Sequence, residues 1–175
     1  MTRARDLADV LKQPTTTTLG TSNYRAGVNA GNSITSGGNY NTVLGDEAGT
    51  AITTGDNNVA VGYSAGAAIT TGNRNTLIGN AAGDALTVGI QNVAIGREAL
   101  GADTKGSNTV AIGNGALRTQ NFTSATDIYN TAVGDQAGTS VTTGTHNTFI
   151  GGLAGYANTT GYYNVAVGAS ALNRN

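Results

Sequence analysis

The sequence predicts an all-β repeat protein, a β-solenoid or β-roll built from nine coils of about 17 residues, and two observations support this prediction. First, a glycine recurs at a step of 17 residues, with single steps of 18 and 21 as the exceptions. Second, a short apolar segment ends at each of these anchor glycines. The anchor glycines are Gly27, Gly45, Gly62, Gly79, Gly96, Gly113, Gly134, Gly151 and Gly168.

The three residues before each anchor glycine predict a strand that is apolar on both faces. In the second unit Thr42 and Leu44 share one face, and Val43 lies on the other. A strand of this kind is buried on both faces, so one face would line the coil and the other would need a second surface. We therefore expect a parallel homotrimer, in which a neighbouring chain supplies that surface. We attribute the small residues Ala60, Ala94 and Ala111 of the middle column to these contacts between chains.

Further columns of the repeat predict how the coil closes. Asn stands four residues before the anchor glycine in eight of nine units, which predicts a ladder of stacked amides. Ala stands three residues after it in all nine units, which predicts close approach of the backbone. The anchor glycine itself predicts a positive φ or a tight corner. A second glycine near Thr marks the return turn, so each unit is predicted to be strand, corner, second segment and turn, a two-stranded coil.

Composition excludes several function classes. The net charge is −1, which gives no field for nucleic acid or an anionic membrane, and there is no Cys for disulfides, thiolate ligands or a nucleophile. No apolar run is long enough for a membrane span or a signal peptide, so synthesis in a cytoplasm is expected. Asp46 and Glu47 would point to opposite sides of an extended segment, and His146 is the only His. We therefore predict no enzyme activity, no metal and no cofactor.

The N-terminal segment is predicted to be separate from the repeat. Ala4, Leu7 and Leu11 have helical spacing, and a helix this short is marginal in isolation. Docking onto another protein, or into a three-helix stub, would order it; a frayed tail is the alternative. A linker rich in Thr follows. Residues 1–22 are thus a predicted attachment segment, and residues 23–175 a predicted repeat domain.

Aromatic residues in the C-terminal half form a candidate recognition surface. Tyr129, His146 and Tyr163 each stand five residues before an anchor glycine on consecutive coils, so they are predicted to stack, and Tyr162 adjoins them. Phe122 belongs to a four-residue insertion between two anchor glycines. Such a surface could contact a sugar or a protein. Packing of turns between chains, and an insertion without a role, are the alternatives.

The pattern NTxxGxxAxxxxTTG resembles phage tail-fibre repeats of the NTAVGYQALxxNTTG type, which share the 17-residue spacing. It is also similar to the SVAIG repeats of YadA-like trimeric autotransporter adhesin heads, which form left-handed parallel β-rolls as trimers. The resemblance implies a structural protein of the virion, a trimeric tail fibre or spike that contacts a glycan or protein of the host surface. A trimeric capsid-decoration protein and a bacterial adhesin head fragment are the alternatives. Autotransporters carry a signal peptide and a membrane anchor, for which this sequence has no counterpart, so the phage resemblance is the more specific.

Overall fold

The structure, a computed structural model, describes residues 20–173 of the chain as a parallel β-solenoid. Nine short strands form one sheet in chain order, interrupted only by a separate two-stranded sheet, β6–β8. The strands are β1 Tyr24–Ala26, β2 Thr42–Leu44, β3 Val59–Val61, β4 Thr76–Ile78, β5 Val93–Ile95, β6 Gly106–Ser107, β7 Val110–Ile112, β8 Thr126–Asp127, β9 Thr131–Val133, β10 Thr148–Ile150 and β11 Val165–Val167. The all-β prediction is confirmed, and no helix occurs within residues 20–173. The helix predicted around Ala4, Leu7 and Leu11 lies outside the described residues.

The register of the sheet pairs each strand residue of a unit with the equivalent residue of the next unit. Between β2 and β3 the partners are Val43 and Ala60, with Leu44 opposite Val61. The four-residue insertion does not shift this register, because β7 and β9 pair Ala111 with Ala132. Nine strands bound eight complete coils, so the predicted count of nine is one too many: the ninth unit contributes only its strand and the following corner.

The second segment of each coil is not a strand, so the prediction of a second strand there is wrong; the short pair β6–β8 begins at the return-turn glycine Gly106, after the second segment. Residues in this segment enter the left-handed region, for example Glu47 at φ 62° and Gly49 at φ 54°, and a strand cannot contain them. The segment still bonds from coil to coil. Gly49 N–H donates to the Ala65 carbonyl at 2.9 Å, and Ala51 N–H donates to the Ala67 carbonyl at 3.0 Å.

The core lies inside the coil of a single chain. The interior column, two residues before each anchor glycine, is fully buried through most of the sheet. Opposite it lie larger residues such as Ile52, Ile69 and Leu86, also fully buried. The interior column therefore lines the coil, and associating Ala60, Ala94 and Ala111 with contacts between chains is wrong. Its members are Val43, Ala60, Leu77, Ala94, Ala111, Ala132, Phe149 and Ala166.

The anchor glycines turn the chain out of the strand, as predicted, and all nine have φ between 120° and 141°. A Cβ added to Gly62 would lie 2.5 Å from the Gly79 carbonyl oxygen of the next coil. Both the left-handed backbone and the close approach therefore demand glycine. The Ala column three residues later is buried from Ala30 to Ala154, in agreement with the predicted tight packing.

The predicted amide ladder is present and bonds more than its own members. Asn58 Nδ2 donates to Asn41 Oδ1 at 3.1 Å and to the Gly72 carbonyl at 2.8 Å. Asn58 N–H donates to the same Asn41 Oδ1 at 2.9 Å. Each buried amide thus joins two coils and also ties the strand to the return turn of its own coil. Buried polar groups need such partners, which explains why Asn recurs at this position.

Candidate recognition surfaces

Five residues before each anchor glycine the chain makes a corner in the left-handed conformation. All members of this corner column have φ between 55° and 60°. Positive φ is uncommon outside glycine and excludes β-branched residues, which this column lacks. All but Asn108 are exposed. The members are Ser22, Tyr40, Asn57, Arg74, Gln91, Asn108, Tyr129, His146 and Tyr163.

The predicted aromatic stack forms along the C-terminal part of this column. The ring centroids of Tyr129 and His146 are 5.3 Å apart, and those of His146 and Tyr163 are 4.7 Å apart. The planes are inclined by 44° and 36°. Tyr162 meets Tyr163 edge to face, at 5.7 Å and 80°. The rung spacing of the sheet sets these distances, since each ring leaves the backbone at the same point of its coil.

Phe122 does not belong to this surface, and the prediction that placed it there is wrong. Its side chain is only 9% exposed. The insertion folds back on the preceding coil, where β8 pairs with β6, and Lys105 N–H donates to the Phe122 carbonyl at 3.0 Å. Ile128, at the end of the insertion, is fully buried. The extra residues therefore add apolar packing beneath the surface.

The coil that contains the insertion and the coil before it share a buried polar cluster that sequence reasoning missed. Gln120 Nε2 donates to Asp103 Oδ2 at 2.7 Å, and Asn130 Nδ2 donates to Gln120 Oε1 at 2.8 Å. Asp103 Oδ1 accepts from the backbone N–H groups of Gly106 at 2.9 Å and Phe122 at 3.2 Å. Gln120 supplies an acceptor for Asn130 where the amide ladder has Thr109. In the sequence, this cluster is signalled by Thr109, which interrupts the column of Asn residues.

A pair of exchanges makes room for this cluster. The other complete coils have Gly four residues after the anchor glycine, and all but the last of them, which has Asn158, have Ile, Leu or Val seven residues after it, as in Gly66 and Ile69. The interrupted coils have Leu100 with Asp103, and Leu117 with Gln120. Leu100 and Leu117 are fully buried despite φ of 54° and 48°. A large apolar side chain thus enters the core from a different position on the coil.

The outward face of the sheet is the largest apolar surface. Its outward strip is formed by the residues one and three before each anchor glycine, which alternate with the interior column. Most of these side chains are half-buried by their neighbours along the strip, and Ile78, Ile150, Val165 and Val167 are exposed. From β2 to β11 the strip contains Thr42, Leu44, Val59, Val61, Thr76, Ile78, Val93, Ile95, Val110, Ile112, Thr131, Val133, Thr148, Ile150, Val165 and Val167.

Several charged side chains of the described residues have structural contacts. Asp46 Oδ1 accepts from Val28 N–H at 2.9 Å, and Glu47 Oε1 accepts from Asn29 Nδ2 at 2.8 Å, both on the preceding coil. Within residues 20–173 no three His, Cys, Asp or Glu side chains are grouped as metal ligands would be. A search of the same residues finds no helix of the length and apolarity needed to cross a membrane.

Comparison with known proteins gives no match to a family model, a curated protein or a solved structure. Function must therefore be argued from the two surfaces, the outward strip and the aromatic stack.

Proposed function

We propose that this chain is a non-enzymatic structural protein, one subunit of a parallel homotrimeric rod that forms a tail fibre or spike of a phage virion. The observation that carries the proposal is the uncovered outward strip. Purely parallel sheets occur almost only where both faces are covered, and their strands are then apolar on both sides. Here the coil covers one face only, and the other presents Val, Ile, Leu and Thr along the whole rod.

A second and third copy of the chain are well suited to cover this strip. The strip repeats at the rung spacing of about 4.8 Å, and a copy in parallel register has the same spacing at every level. Side chains of facing strips can then interdigitate from the first rung to the last. A globular partner would have to match this repeat by a different architecture.

The charges at the edges of the strip are compatible with the parallel register. The strip is flanked by the corner column on one side and by the residue after the anchor glycine on the other. From β2 onward, each level has at most one charged residue in these two positions, for example Arg74 beside Asn80 and Gln91 beside Arg97. In-register parallel packing that apposes the two columns therefore brings no like charges together, which would be destabilising.

The oligomer is tested by light scattering on the purified chain. We expect a mass of three chains, and we expect Ile95→Asp combined with Ile112→Asp to give single chains that keep the wild-type circular dichroism spectrum. Thr71→Asp, an exposed turn residue away from the sheet face, is the control and should remain trimeric. A wild-type protein that is monomeric, or a double variant that stays trimeric, would refute the strip as the interface.

The location of the chain in the virion is tested separately. Residues 1–22, with Ala4, Leu7 and Leu11 on one helical stripe, are the proposed attachment segment to another virion protein. Gold-labelled antibody against the repeat domain should decorate the tails of intact particles. Particles made with a chain that lacks residues 1–12 should lose the label. Label on the capsid shell would instead indicate a decoration protein, and label on bacterial cells alone would indicate an adhesin.

A further inference from the structure

The geometry points to a binding site for neutral carbohydrate at the corner formed by Tyr162 and Tyr163, at the C-terminal end of the aromatic stack. This inference extends the proposed recognition role by naming the site and the class of ligand. It rests on the exposure of the rings, on which ring surfaces the stack leaves free, and on the absence of charge around them.

The stack leaves different surfaces free at its middle and at its end. His146 lies between Tyr129 and Tyr163, so both faces of its ring are turned towards aromatic neighbours. Tyr163 has such a neighbour on one side only, and Tyr162 stands at 80° to it. The two rings are 68% and 70% exposed, against 53% for Tyr129. The accessible aromatic faces are therefore concentrated where two rings form the walls of a corner.

A pyranose ring matches this corner chemically. Its axial C–H bonds carry partial positive charge and pack on the electron-rich face of an aromatic ring, while its hydroxyl groups bond to polar atoms at the edge. The two phenol hydroxyls provide donors and acceptors at the edge of the corner. Tyrosine also offers a large contact area with little loss of side-chain freedom on binding.

The surroundings favour a neutral ligand. From residue 136 to residue 173 the sequence contains no Asp, Glu, Lys or Arg. Acidic glycans, phosphates and nucleic acid are bound through Arg and Lys, and the described residues 136–173 contain neither; Arg174 follows outside the described residues. A neutral glycan needs no counter-charge and loses nothing by binding here. Repetition of the site in three chains would strengthen weak binding by avidity.

The test uses the full chain on an array of glycans, with neutral hexose and N-acetylhexosamine oligosaccharides beside sialylated and sulfated ones. We expect the wild type to bind one or more neutral oligosaccharides and none of the acidic ones. Tyr162→Ala and Tyr163→Ala should each weaken that binding by about tenfold or more. Tyr40→Ala is the matched control, because Tyr40 has the same corner position, a φ of 57° and 60% exposure but no aromatic stack, and it should bind as wild type.

Each other outcome refutes the inference. Absence of neutral-glycan binding, equal binding of acidic glycans, or an equal loss in Tyr40→Ala would overturn it. Binding to host envelope extract that is destroyed by protease, with no glycan bound on the array, would assign the corner to a protein partner. A fall in oligomer mass for Tyr163→Ala would show that the rings pack between chains. Light scattering on the wild type keeps the outcomes apart, since a glycan-binding monomer would refute only the trimer.

Discussion

The regular coils between Asn41 and Ile95 and the interrupted coils between Gly96 and Asn130 share the register of the main sheet but have differently composed interiors. In the regular coils the space between the sheet and the second segment is apolar: Ala60, Leu77 and Ala94 lie opposite Ile52, Ile69 and Leu86. The interrupted coils place the Asp103–Gln120–Asn130 cluster in the equivalent space. The register of the sheet is nevertheless continuous from β5 through β7 to β9. The fold therefore constrains the volume of the interior and the path of its backbone more tightly than its polarity.

Gln120 illustrates this compensation. In a regular coil each ladder Asn donates to the Asn one coil earlier, as Asn75 does to Asn58 at 3.1 Å. Before Asn130 the ladder has Thr109, whose short side chain offers no amide oxygen. The Gln120 amide reaches the same region from the opposite side of the coil and accepts the bond. A long side chain from the second segment thus replaces a missing group of the strand.

The anchor glycine is common to both regions, and its replacement should have the largest effect. Gly62→Ala would force φ of 128° on a residue with a side chain and place Cβ 2.5 Å from a backbone oxygen of the next coil. We expect a loss of about 4 kcal/mol or more in the free energy of unfolding, measured by denaturant titration. Gly152→Ala is the control, because its added Cβ would have its nearest neighbour 3.9 Å away. Equal losses in both would contradict the stacking constraint.

These features differ in how far the sequence predicted them. The anchor glycines, the Ala column and the Asn ladder repeat in register, and a stacked coil places each column in one environment, so repetition alone located them. The structure added which strand face lines the coil, because Val43 and its two neighbours are all compatible with burial. It also added the conformation of the second segment, since left-handed residues such as Glu47 have no compositional signature as strong as glycine.

The candidate site was likewise predicted in part. A common column with a fixed period was sufficient to predict that Tyr129, His146 and Tyr163 would stack. Phe122 lies in the insertion, where the period gives no guidance, and its burial depends on how the loop folds back. The Asp103–Gln120 contact joins positions that are 17 residues apart in a column that is aliphatic in the other coils except at Asn158. The sequence does not show that Asp103 and Gln120 satisfy each other, whereas the structure does.

Removal of one amide from the ladder of the regular coils should have the next largest effect on the free energy of unfolding. Asn75→Ala removes donors to Asn58 and to the Gly89 carbonyl, and it leaves Asn92 N–H without its acceptor at 3.0 Å. Because these groups are buried, we expect a loss of about 2–4 kcal/mol in the free energy of unfolding. Asn57→Ala, an exposed neighbour of the ladder, is the comparison. A loss below about 1 kcal/mol for Asn75→Ala would indicate that the ladder adds little to coil stacking.

The polar cluster of the interrupted coils is tested with a substitution that keeps the volume of the side chain and removes its amide group. Gln120→Met leaves Asp103 Oδ2 without its donor and removes the acceptor of Asn130, so we expect a loss of about 1–3 kcal/mol in the free energy of unfolding. Leu117→Met, in the same coil, changes only shape and should cost less than about 1.5 kcal/mol. If Gln120→Met were as stable as wild type, the polar interior would be tolerated without being needed.

Asp84 lies at the boundary of the two regions and should show the smallest effect, one that depends on pH. Desolvation by burial raises the pKa of its carboxyl group above the usual 3.8, more than its backbone hydrogen bonds lower it, and Glu98 on the next coil adds to the rise. A raised pKa in the folded state means that the protonated form is favoured by folding. This stabilisation is complete below pH 3.8 and is lost as the pH rises through the folded-state pKa.

Asp84→Asn removes the charge, and therefore also removes the loss of stability that the wild type shows as the pH rises. We expect the variant to match the wild type in Tm at pH 3 and to exceed it at pH 7 by no more than about 2 °C, because Asp84 is only half-buried and solvent screens its charge. Thr71→Asn, at an exposed turn position, changes no ionisable group and is the control. A lower Tm for Asp84→Asn at pH 7 would mean that the bonds from the Asp84 and Ala85 backbone to the carboxylate outweigh its desolvation. The boundary would then be held by those bonds, as the interior of the interrupted coils is held by Asp103.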